Sequence, residues 1–389
     1  MKDRQPQPEE LREVVQQFAI PGKLKDVRRL QRGHIHDTFV STWSHSAPDS
    51  KNAPGSKNAP DSDSATGTAT DVRFLHQRMN DKVFHDIPAV MHNIETVSRH
   101  LRMKMAGNST LDGFRVLDLV NTSEDRSYLV GDAGQWRTYS FIENTTSFDH
   151  CSGPKQAFEA AKAFGWFQSQ LADLDANNLR ETLPKFFSTP HRLQQFRDAL
   201  DEDPRNRAKD CADDIHFAKT RSEMALVIDR LLRTGEIPIR TVHGDTKLNN
   251  VLFCDRTGRA QCIVDLDTCM PGYSLYDFGD LVRFTAATSD EDERDLSKVG
   301  TDLTLYRALV DGYLDGTRGA LSKVEVELMP FAARLVTYTI GLRFLADHLA
   351  GDVYFKVSRN NQNLDRARVQ FRMVERMEDQ ADAMAVDPR

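Results

Sequence analysis

The sequence lacks the features that mark nucleic-acid-binding, exported and membrane-spanning proteins. Positive charge is not in excess, since 51 Lys and Arg stand against 58 Asp and Glu, for a formal charge of -7. Such a chain has no general attraction for phosphate backbones or anionic bilayers. Residues 1–18 carry charges throughout, and the most apolar late stretch, 335–349, is interrupted by Arg343 and Asp347, which argues against a signal peptide and a membrane span. We expect a cytoplasmic protein without nucleic-acid or membrane partners.

Cysteine is also scarce, and its pattern excludes a disulfide framework. The five cysteines are odd in number and contain no C-x-x-C pair, which fits reduced thiols in a reducing compartment better than disulfides or a zinc site. We expect these thiols to be buried and inert. No pattern in the sequence indicates an oligomeric state.

The length of the chain predicts more than one structural unit. A chain of 389 residues with 39% hydrophobic content exceeds the range of a single core and favours two lobes that share a cleft. Strand-like runs such as Val72–Met79 occupy the first part, together with one helix. Helical spacing dominates the second part, for instance over Glu291–Leu314, and strand character returns only between Arg240 and Asp265. The predicted fold class is α+β, with a small N-terminal sheet lobe over residues 1–143 and a larger, mostly helical lobe over residues 144–389.

A low-complexity segment interrupts the first lobe. Residues 44–71 contain almost no large apolar side chains and include the near-repeat APDSKN, APGSKN, APDSDS. A segment of this composition cannot bury enough surface to offset the entropy of ordering it. We predict a disordered insert at the tip of a hairpin between two strands.

One short segment, His243–Asn250, carries the residue types that phosphoryl transfer requires. Asp245 is followed by Lys247 two residues on and by Asn250 five residues on, the spacing of kinase catalytic loops. This chemistry needs a carboxylate that orients the attacking hydroxyl and accepts its proton, a cation near the moving phosphoryl group, and an oxygen ligand for Mg²⁺. We assign these roles to Asp245, Lys247 and Asn250, and we expect His243 to brace the loop.

A second carboxylate for the metal is expected one hairpin downstream. Asp265 ends the apolar strand Ile263–Asp265, and sparse oxygen coordination completed by water and phosphates suits Mg²⁺. For Asp267, a metal or substrate role and a supporting role fit equally well. Asp277 belongs to a literal Asp-Phe-Gly, but its position does not fit the metal site. We expect it to cap or brace the following helix and loop.

Two runs of sequence resemble a known family. The run VHGDTKLNNVLF, followed by IVDLDTCMPGYSLYDFGDLVRF, resembles the signature of the aminoglycoside phosphotransferase and choline kinase superfamily. Within it the chain is most similar to the N-acetylhexosamine 1-kinases, through TKLNN, DLDT, MPG, DFGD, RF and the later GLRFLADHLAGDVYF. The resemblance implies a bilobal protein-kinase-like fold, with ATP and Mg²⁺ as cofactors. It also implies transfer of the γ-phosphoryl group of ATP to the anomeric hydroxyl of GlcNAc or GalNAc.

The resemblance further implies which residues contact the two substrates. Asp245, Thr268, Arg343 and Tyr354 are expected at the sugar, although Arg343 has an alternative as an i,i+4 ion pair with Asp347 and Tyr354 as a packing residue. No G-x-G-x-x-G loop is present, so the phosphates must be covered by a loop with a single glycine. The third strand lacks the phosphate-pairing lysine of protein kinases, and strand alternation lets only one of its two candidate replacements face the nucleotide. The residues expected at the nucleotide are Gly33, His34, and either Gln77 or Arg78.

Two alternatives to this function stay open. In the first, the protein is still a small-molecule kinase, but its acceptor is another sugar, an aminoglycoside or choline. A cationic acceptor favours an acidic site, which the sequence does not clearly show. From a different class, the chain is a nucleotide-binding scaffold without catalysis. The presence of Asp245, Asn250 and Asp265 argues against the scaffold.

Overall fold

The computed structural model describes residues 6–30, 35–45, 70–106 and 113–387. The chain divides into two compact units, the first comprising Met1–Met91 and Leu117–Glu143 and the second comprising His92–Val116 and Asn144–Arg389.

Residues 92–116, which the sequence analysis assigned to the first lobe, group with the second unit because of hydrogen bonds made within it. The Asn93 side chain donates to the carbonyl oxygens of Arg180 and Cys269, at 2.7 and 2.9 Å. The Arg115 backbone N–H donates to the Gln261 carbonyl at 2.6 Å.

The first unit is built on an antiparallel sheet of five strands, in the order β1-β2-β3-β5-β4. The predicted strand Val72–Met79 matches β3 except for Met79, which is one residue beyond its end. The ends of the predicted insert, residues 44–45 and 70–71, extend β2 and β3, whereas 46–69 lie outside the described residues. The elements up to Glu143 are α1 (Pro8–Gln16), β1 (Lys23–Arg29), β2 (Asp37–His45), β3 (Thr70–Arg78), α2 (Ile87–Ala106), β4 (Leu129–Gly131) and β5 (Gly134–Ser140).

The core of the first unit lies between α1 and one face of this sheet. Helix α1 is amphipathic, and its apolar side packs against aromatic residues that alternate along the strands, as period-2 geometry requires. The Phe39 and Trp136 rings, on β2 and β5, lie 5.6 Å apart. The buried residues of this core are Leu11, Val14, Val15, Phe18, Ile20, Phe39, Trp43, Phe74, Leu129 and Trp136.

A buried polar chain crosses three strands of this sheet. His76 is fully buried, with Nε2 2.7 Å from the Ser41 hydroxyl and Nδ1 2.7 Å from the Thr138 hydroxyl. Trp43 Nε1 donates to the same Ser41 oxygen at 2.8 Å. A neutral imidazole, which donates through one nitrogen and accepts through the other, can satisfy both hydroxyls. Burial lowers the pKa of His76 from 6.5 to about 3, so the ring stays neutral when the protein is folded.

This histidine should make the folded state sensitive to mild acid. Below its ordinary pKa the unfolded chain binds a proton at His76 that the folded chain does not, so its contribution is fully present above that value and is lost as the pH falls toward the folded pKa. Wild-type protein should lose about 2 kcal/mol more unfolding free energy than His76→Gln between about pH 7 and pH 5. Urea unfolding across this range measures the difference. Parallel pH profiles of the two proteins would contradict the assignment.

The second unit is mostly helical and holds two small sheets, β6-β8-β9 and β10-β7. The strand character predicted between Arg240 and Asp265 is present as β7, β8 and β9. The elements are β6 (Thr145–Thr146), α3 (Pro154–Gln170), α4 (Thr189–Glu202), α5 (Ala212–Thr220), α6 (Ala225–Thr234), β7 (Arg240–Val242), β8 (Val251–Cys254), β9 (Ala260–Ile263), β10 (Met270–Gly272), α7 (Ser274–Thr285), α8 (Leu303–Thr317), α9 (Lys323–Glu327), α10 (Met329–Ala350), α11 (Gln362–Asp379) and α12 (Ala381–Met384). Among the described residues, no helix combines the length and the apolar character that a membrane span requires.

The predicted helix Glu291–Leu314 is wrong at its start. Helix α8 begins only at Leu303, because the Asp302 side chain accepts the backbone N–H groups of Thr304 and Leu305, at 2.7 and 3.1 Å. An aspartate that caps a helix in this way fixes its first turn. The preceding residues form turns instead.

Helices α3 and α8 touch backbone to backbone along three glycines. A Cβ atom at Gly165 would collide with the carbonyl oxygen of Tyr313, and one at Gly316 with that of Lys162. A Cβ atom at Gly312 would collide likewise with the carbonyl oxygen of Phe158. We call these three positions the glycine seam, since no side chain fits between the two helices there.

Candidate active site

The 243–250 loop, between β7 and β8, brings three of the predicted catalytic and metal-binding residues together. Asn250 donates through Nδ2 to the Asp245 backbone carbonyl at 2.8 Å and to Asp245 Oδ2 at 3.1 Å. Lys247 Nζ lies 2.8 Å from Asp245 Oδ1. Both carboxylate oxygens of Asp245 are thus engaged, and its side chain remains 20% exposed. The carboxylate is fixed in orientation and still reachable by a ligand.

Asp265 is placed next to Asn250 by the backbone of the β8–β9 ribbon. The Val264 N–H donates to the Asn250 carbonyl at 2.9 Å, so the carboxylate of Asp265 is one residue beyond that pairing. Its backbone is left-handed, with φ 64° and ψ 61°, a conformation that aspartate adopts more readily than most residues. In the part of the chain that the structure describes, no group of three His, Cys, Asp or Glu side chains could hold a metal ion.

His243 braces this loop through both ring nitrogens, as the sequence predicts. Nε2 lies 3.0 Å from the Val264 carbonyl oxygen and therefore donates, while Nδ1 accepts the Asp245 N–H at 3.3 Å. This arrangement requires the neutral ring with its proton on Nε2. Burial lowers the pKa of His243, in agreement with that state. The Phe164 and Phe167 rings of α3 meet the imidazole edge-on, at 5.3 and 5.8 Å.

Asp277, in the first turn of α7, holds the 243–250 loop from behind. Its Oδ2 accepts the His243 N–H and its Oδ1 accepts the Gly244 N–H, each at 2.8 Å. Gln168 on α3 donates to Oδ2 at 2.8 Å, and the Thr246 hydroxyl donates to the Asp277 carbonyl at 2.6 Å. Burial raises the pKa of the Asp277 carboxyl to about 7, and the hydrogen bonds that it accepts act against that rise. The sequence predicts that Asp277 braces the helix and loop that follow it, whereas in the structure its carboxylate braces the 243–250 loop, which precedes it in the chain.

Gly244 has the backbone conformation and the space that only glycine supplies. Its φ is 81°, in the left-handed region, and a Cβ atom there would lie 2.8 Å from Phe187 Cζ and 2.9 Å from the Thr268 carbonyl oxygen. Glycine adopts this conformation without steric cost. The turn just before Asp245 is therefore packed directly against Phe187.

Lys247 shares an aromatic ring with Arg283, which belongs to a neighbouring group of charged residues. Its ammonium group is 5.1 Å from the centre of the Phe284 ring, and the Arg283 guanidinium stacks on the same ring at 3.8 Å. Arg283 donates to Asp280 at 3.1 Å and to Glu291 at 3.2 Å. Burial lowers the pKa of Lys247, but the charge and hydrogen bond of Asp245 raise it, and the net shift is upward. Lys247 therefore stays a cation beside Asp245. Asp280 and Arg283 were not among the predicted site residues, because sequence spacing alone does not link this helix to Lys247.

Thr268, expected at the sugar, donates its hydroxyl to the His243 carbonyl at 2.7 Å and is nearly buried. The side chain therefore forms part of the framework of the 243–250 loop. Its oxygen can still accept a hydrogen bond from a ligand. Asp267 is buried in the same short turn.

Arg343 is not paired with Asp347, so the structure does not support the ion-pair alternative. The Arg343 guanidinium lies 5.7 Å from the centre of the Phe186 ring, 5.8 Å from that of Tyr354 and 5.3 Å from that of Phe355. Within the described ranges it makes no hydrogen bond or ion pair. Tyr354, the other residue expected at the sugar, is 70% exposed.

Asp347 instead anchors the loop that carries Tyr354. Its two carboxylate oxygens accept the backbone N–H groups of Val353, Tyr354 and Phe355, at 2.9, 2.8 and 2.9 Å. Asn363 on α11 donates to Oδ2 at 2.8 Å. A buried carboxylate with four donors holds a loop rigidly. The position of Tyr354 next to Arg343 follows from this anchor.

Replacing Asp347 with asparagine should weaken acceptor binding more than it slows transfer. Asparagine cannot accept all four hydrogen bonds, so the loop should lose its fixed position. We expect the KM for the acceptor to rise about tenfold, roughly the loss of one charge-assisted hydrogen bond, with kcat and the KM for ATP little changed. Asp201→Asn, an exposed change on α4, serves as the control. In a Tyr354→Ala background the Asp347 change should add nothing to KM, and full additivity of the two changes would reject this role.

The nucleotide-site candidates of the first unit have specific partners. Arg78 forms an ion pair with Asp37, which also accepts from Arg29 at 2.7 Å. Gln77 is on the opposite face of β3 and accepts the Arg137 Nε–H at 2.9 Å. Gly33 and His34 lie outside the described residues.

Comparison with known proteins identifies the fold and the family. The phosphotransferase enzyme family model matches residues 72–318. An aminoglycoside phosphotransferase from Alicyclobacillus acidocaldarius superposes with a TM-score of 0.55 at 12% identity, covering 95% of this chain and 96% of that chain. A choline kinase from Cryptosporidium parvum gives 0.53 at 11% identity, covering 92% and 90%. A spectinomycin phosphotransferase in complex with ADP and spectinomycin gives 0.50 at 11% identity, covering 93% and 94%.

These similarities confirm the predicted α+β, protein-kinase-like fold and the predicted superfamily. The matched segment includes the 243–250 loop, Asp265 and Asp277, so the site described above lies inside the family region. The chain belongs to the phosphotransferase enzyme family.

Proposed function

We propose that this protein is an ATP- and Mg²⁺-dependent kinase that phosphorylates the anomeric hydroxyl of an N-acetylhexosamine. The observation that carries the proposal is the fixed carboxylate of Asp245, bound by Asn250 on one oxygen and by Lys247 on the other. Phosphoryl transfer depends mainly on positioning and on charge stabilisation. This loop supplies a placed proton acceptor and a placed cation.

The chemical step uses these residues in order. Asp245 accepts the proton of the acceptor hydroxyl while the hydroxyl oxygen forms a bond to the γ-phosphorus and the bond to the departing ADP oxygen breaks. Lys247 stabilises negative charge on the transferring group. The neutral His243 and the Asp277 carboxyl keep the loop in place. Preorganisation of this kind lowers the barrier because the groups need no rearrangement during transfer.

The residues expected at the metal fit Mg²⁺ chemically. Both Nδ2 hydrogen bonds of Asn250 go to Asp245, so Asn250 Oδ1 is the atom that can bind a cation. Asp265, one residue beyond the Val264–Asn250 backbone pairing, would supply the carboxylate, and one or two protein oxygens completed by phosphates and water are usual for Mg²⁺. When bound, Mg²⁺ would neutralise charge on the nucleotide phosphates.

The choice of acceptor rests on the resemblance to N-acetylhexosamine 1-kinases. Arg343 and Tyr354 provide hydrogen-bond donors and a flat apolar face of the kind that suits a neutral sugar, and the Thr268 oxygen provides an acceptor. At the nucleotide we propose Gly33, His34 and Gln77. The ion pair of Arg78 with Asp37 favours Gln77 as the residue that replaces the phosphate-pairing lysine.

A panel of acceptors tests the proposal. The protein is incubated with ATP, Mg²⁺ and one of GlcNAc, GalNAc, another sugar, an aminoglycoside or choline, and the product is examined by phosphorus and proton NMR. We expect a sugar 1-phosphate, recognised by coupling of phosphorus to the anomeric proton, and no turnover after chelation of the metal. Phosphorylation of choline or an aminoglycoside alone would reject the sugar assignment. Absence of transfer with every acceptor would favour the scaffold alternative.

A further inference from the structure

Two arginines in the second unit lie at the far end of an aromatic cluster that begins at the 243–250 loop. Phe187 packs against Gly244, and its ring is 5.2 Å from that of Phe186 and 4.6 Å from that of Tyr276. Arg192 donates to the Phe186 carbonyl at 3.4 Å, and Arg343 lies over the Phe186 ring. Two aromatic rings in succession, Phe187 and Phe186, therefore connect the turn before Asp245 to the Arg343 guanidinium.

Neither arginine has an acidic partner in the described part of the chain. Among the described residues, Arg192 donates otherwise only to the neutral Gln195 amide, at 2.8 Å. Its Nε is buried and has no hydrogen-bond partner within those residues. Asp347, the nearest carboxylate in sequence to Arg343, is fully used by the loop that it anchors. A half-buried guanidinium without a carboxylate is uncommon, because its charge and its donors need compensation.

The two charges also act on each other. Burial lowers the pKa of Arg192 to about 10, and the positive charge of Arg343 is the next largest cause. A third cation brought to this cluster would meet the same repulsion, whereas the oxygen atoms of an uncharged ligand would accept the unused N–H groups.

We propose that Arg192 and Arg343 form a charge filter that rejects acceptors carrying an ammonium group and binds acceptors through neutral or anionic oxygen atoms. The proposal rests on the proposed function, because it assumes that the acceptor lies near Asp245. It gives Arg192 a role in acceptor selection, and it predicts that the accepted substrates carry no positive charge. Simple amino alcohols and free amino sugars are excluded by it.

Matched sugars measure the filter directly. Glucose and glucosamine differ by a hydroxyl against an amine at one carbon, and the amine is mostly protonated below about pH 7. GlcNAc shows the effect of removing the charge by acetylation. In wild-type protein we expect kcat/KM for glucose to exceed that for glucosamine by about tenfold or more.

Variants assign the effect to the two arginines. Arg192→Gln and Arg343→Gln should each bring the ratio toward parity, whereas Arg192→Lys and Arg343→Lys should keep it because the charge remains. Arg197→Gln, an exposed change on the same helix as Arg192, should leave the ratio unchanged. Thermal unfolding of each variant checks that the fold is retained.

The failure of the filter can be separated from failure of the kinase assignment. A wild-type ratio near one, or a ratio that survives both glutamine changes, overturns the filter even if GlcNAc is phosphorylated. If no sugar is phosphorylated, calorimetric titration of the same three sugars decides the matter. Preferential binding of the neutral sugars supports the filter without the proposed reaction, and equal binding of all three, or binding of none, overturns it.

Discussion

Replacing Asp245 with asparagine should lower kcat by about 10²–10⁴-fold, the usual contribution of a positioned general base. Asparagine keeps the size of the side chain but cannot accept the hydroxyl proton, and it removes the charge that holds Lys247 at 2.8 Å. Nucleotide binding should be largely retained, because the proposed metal ligands Asn250 and Asp265 are unchanged. Steady-state kinetics with GlcNAc and calorimetric titration with ADP and Mg²⁺ measure the two effects.

The matched control is Asp255→Asn, at the exposed turn of the same β8–β9 ribbon. This change removes one negative charge from the same hairpin without touching the 243–250 loop, and we expect kcat within about twofold of wild type, as for ordinary surface substitutions. Full turnover by Asp245→Asn would show that another group accepts the proton. Equal losses in both variants would point to a general effect of charge.

Replacing Asp277 with asparagine should impair stability and turnover together. The amide can accept from Gly244, but its NH₂ group would face the N–H of His243 and the amide of Gln168, both of which now donate to Oδ2. Buried donors left without acceptors should cost roughly 2–4 kcal/mol of unfolding free energy. Because the 243–250 loop would shift, kcat should fall by about 100-fold, the effect expected for misplacement near 1 Å.

Gln168→Ala separates the two consequences of losing this anchor. It removes one of the three donors to the Asp277 carboxylate and leaves both backbone hydrogen bonds to the loop. We expect a stability loss of about 1 kcal/mol and a small change in kcat. Urea unfolding and kinetics on both variants provide the comparison. Asp277→Asn protein with normal kcat would show that the loop keeps its position without this carboxylate.

The 243–250 loop was predictable because its chemistry is local in sequence. The spacing of Asp245, Lys247 and Asn250 within six residues is the motif itself, and the structure joins these side chains by direct hydrogen bonds. Asp277 was harder to assign. A spacing of 32 residues contains no information on which loop an aspartate will meet, so the prediction assigned Asp277 to the helix and loop that follow it instead of the 243–250 loop.

The other misjudged features also depended on contacts that sequence spacing does not encode. The i,i+4 spacing of Arg343 and Asp347 left an ion pair open as an alternative to substrate contact, and the structure does not contain that pair. The backbone N–H groups after α10 instead surround Asp347, and every residue except proline carries such a group, so the sequence does not mark these three. The apolar pattern of α8 was read correctly, but the capping by Asp302 that sets its start was not.

The glycine seam has a consequence for how turnover depends on remote positions. Helix α3 holds Gln168 against Asp277 and presents Phe164 and Phe167 to His243, so its distance from α8 sets where these groups stand. Alanine at Gly165 would wedge the two helices apart by its one added carbon. Gly165, which has no functional group, thus sets the distance between the two helices. Its mutation should lower kcat as well as the melting temperature.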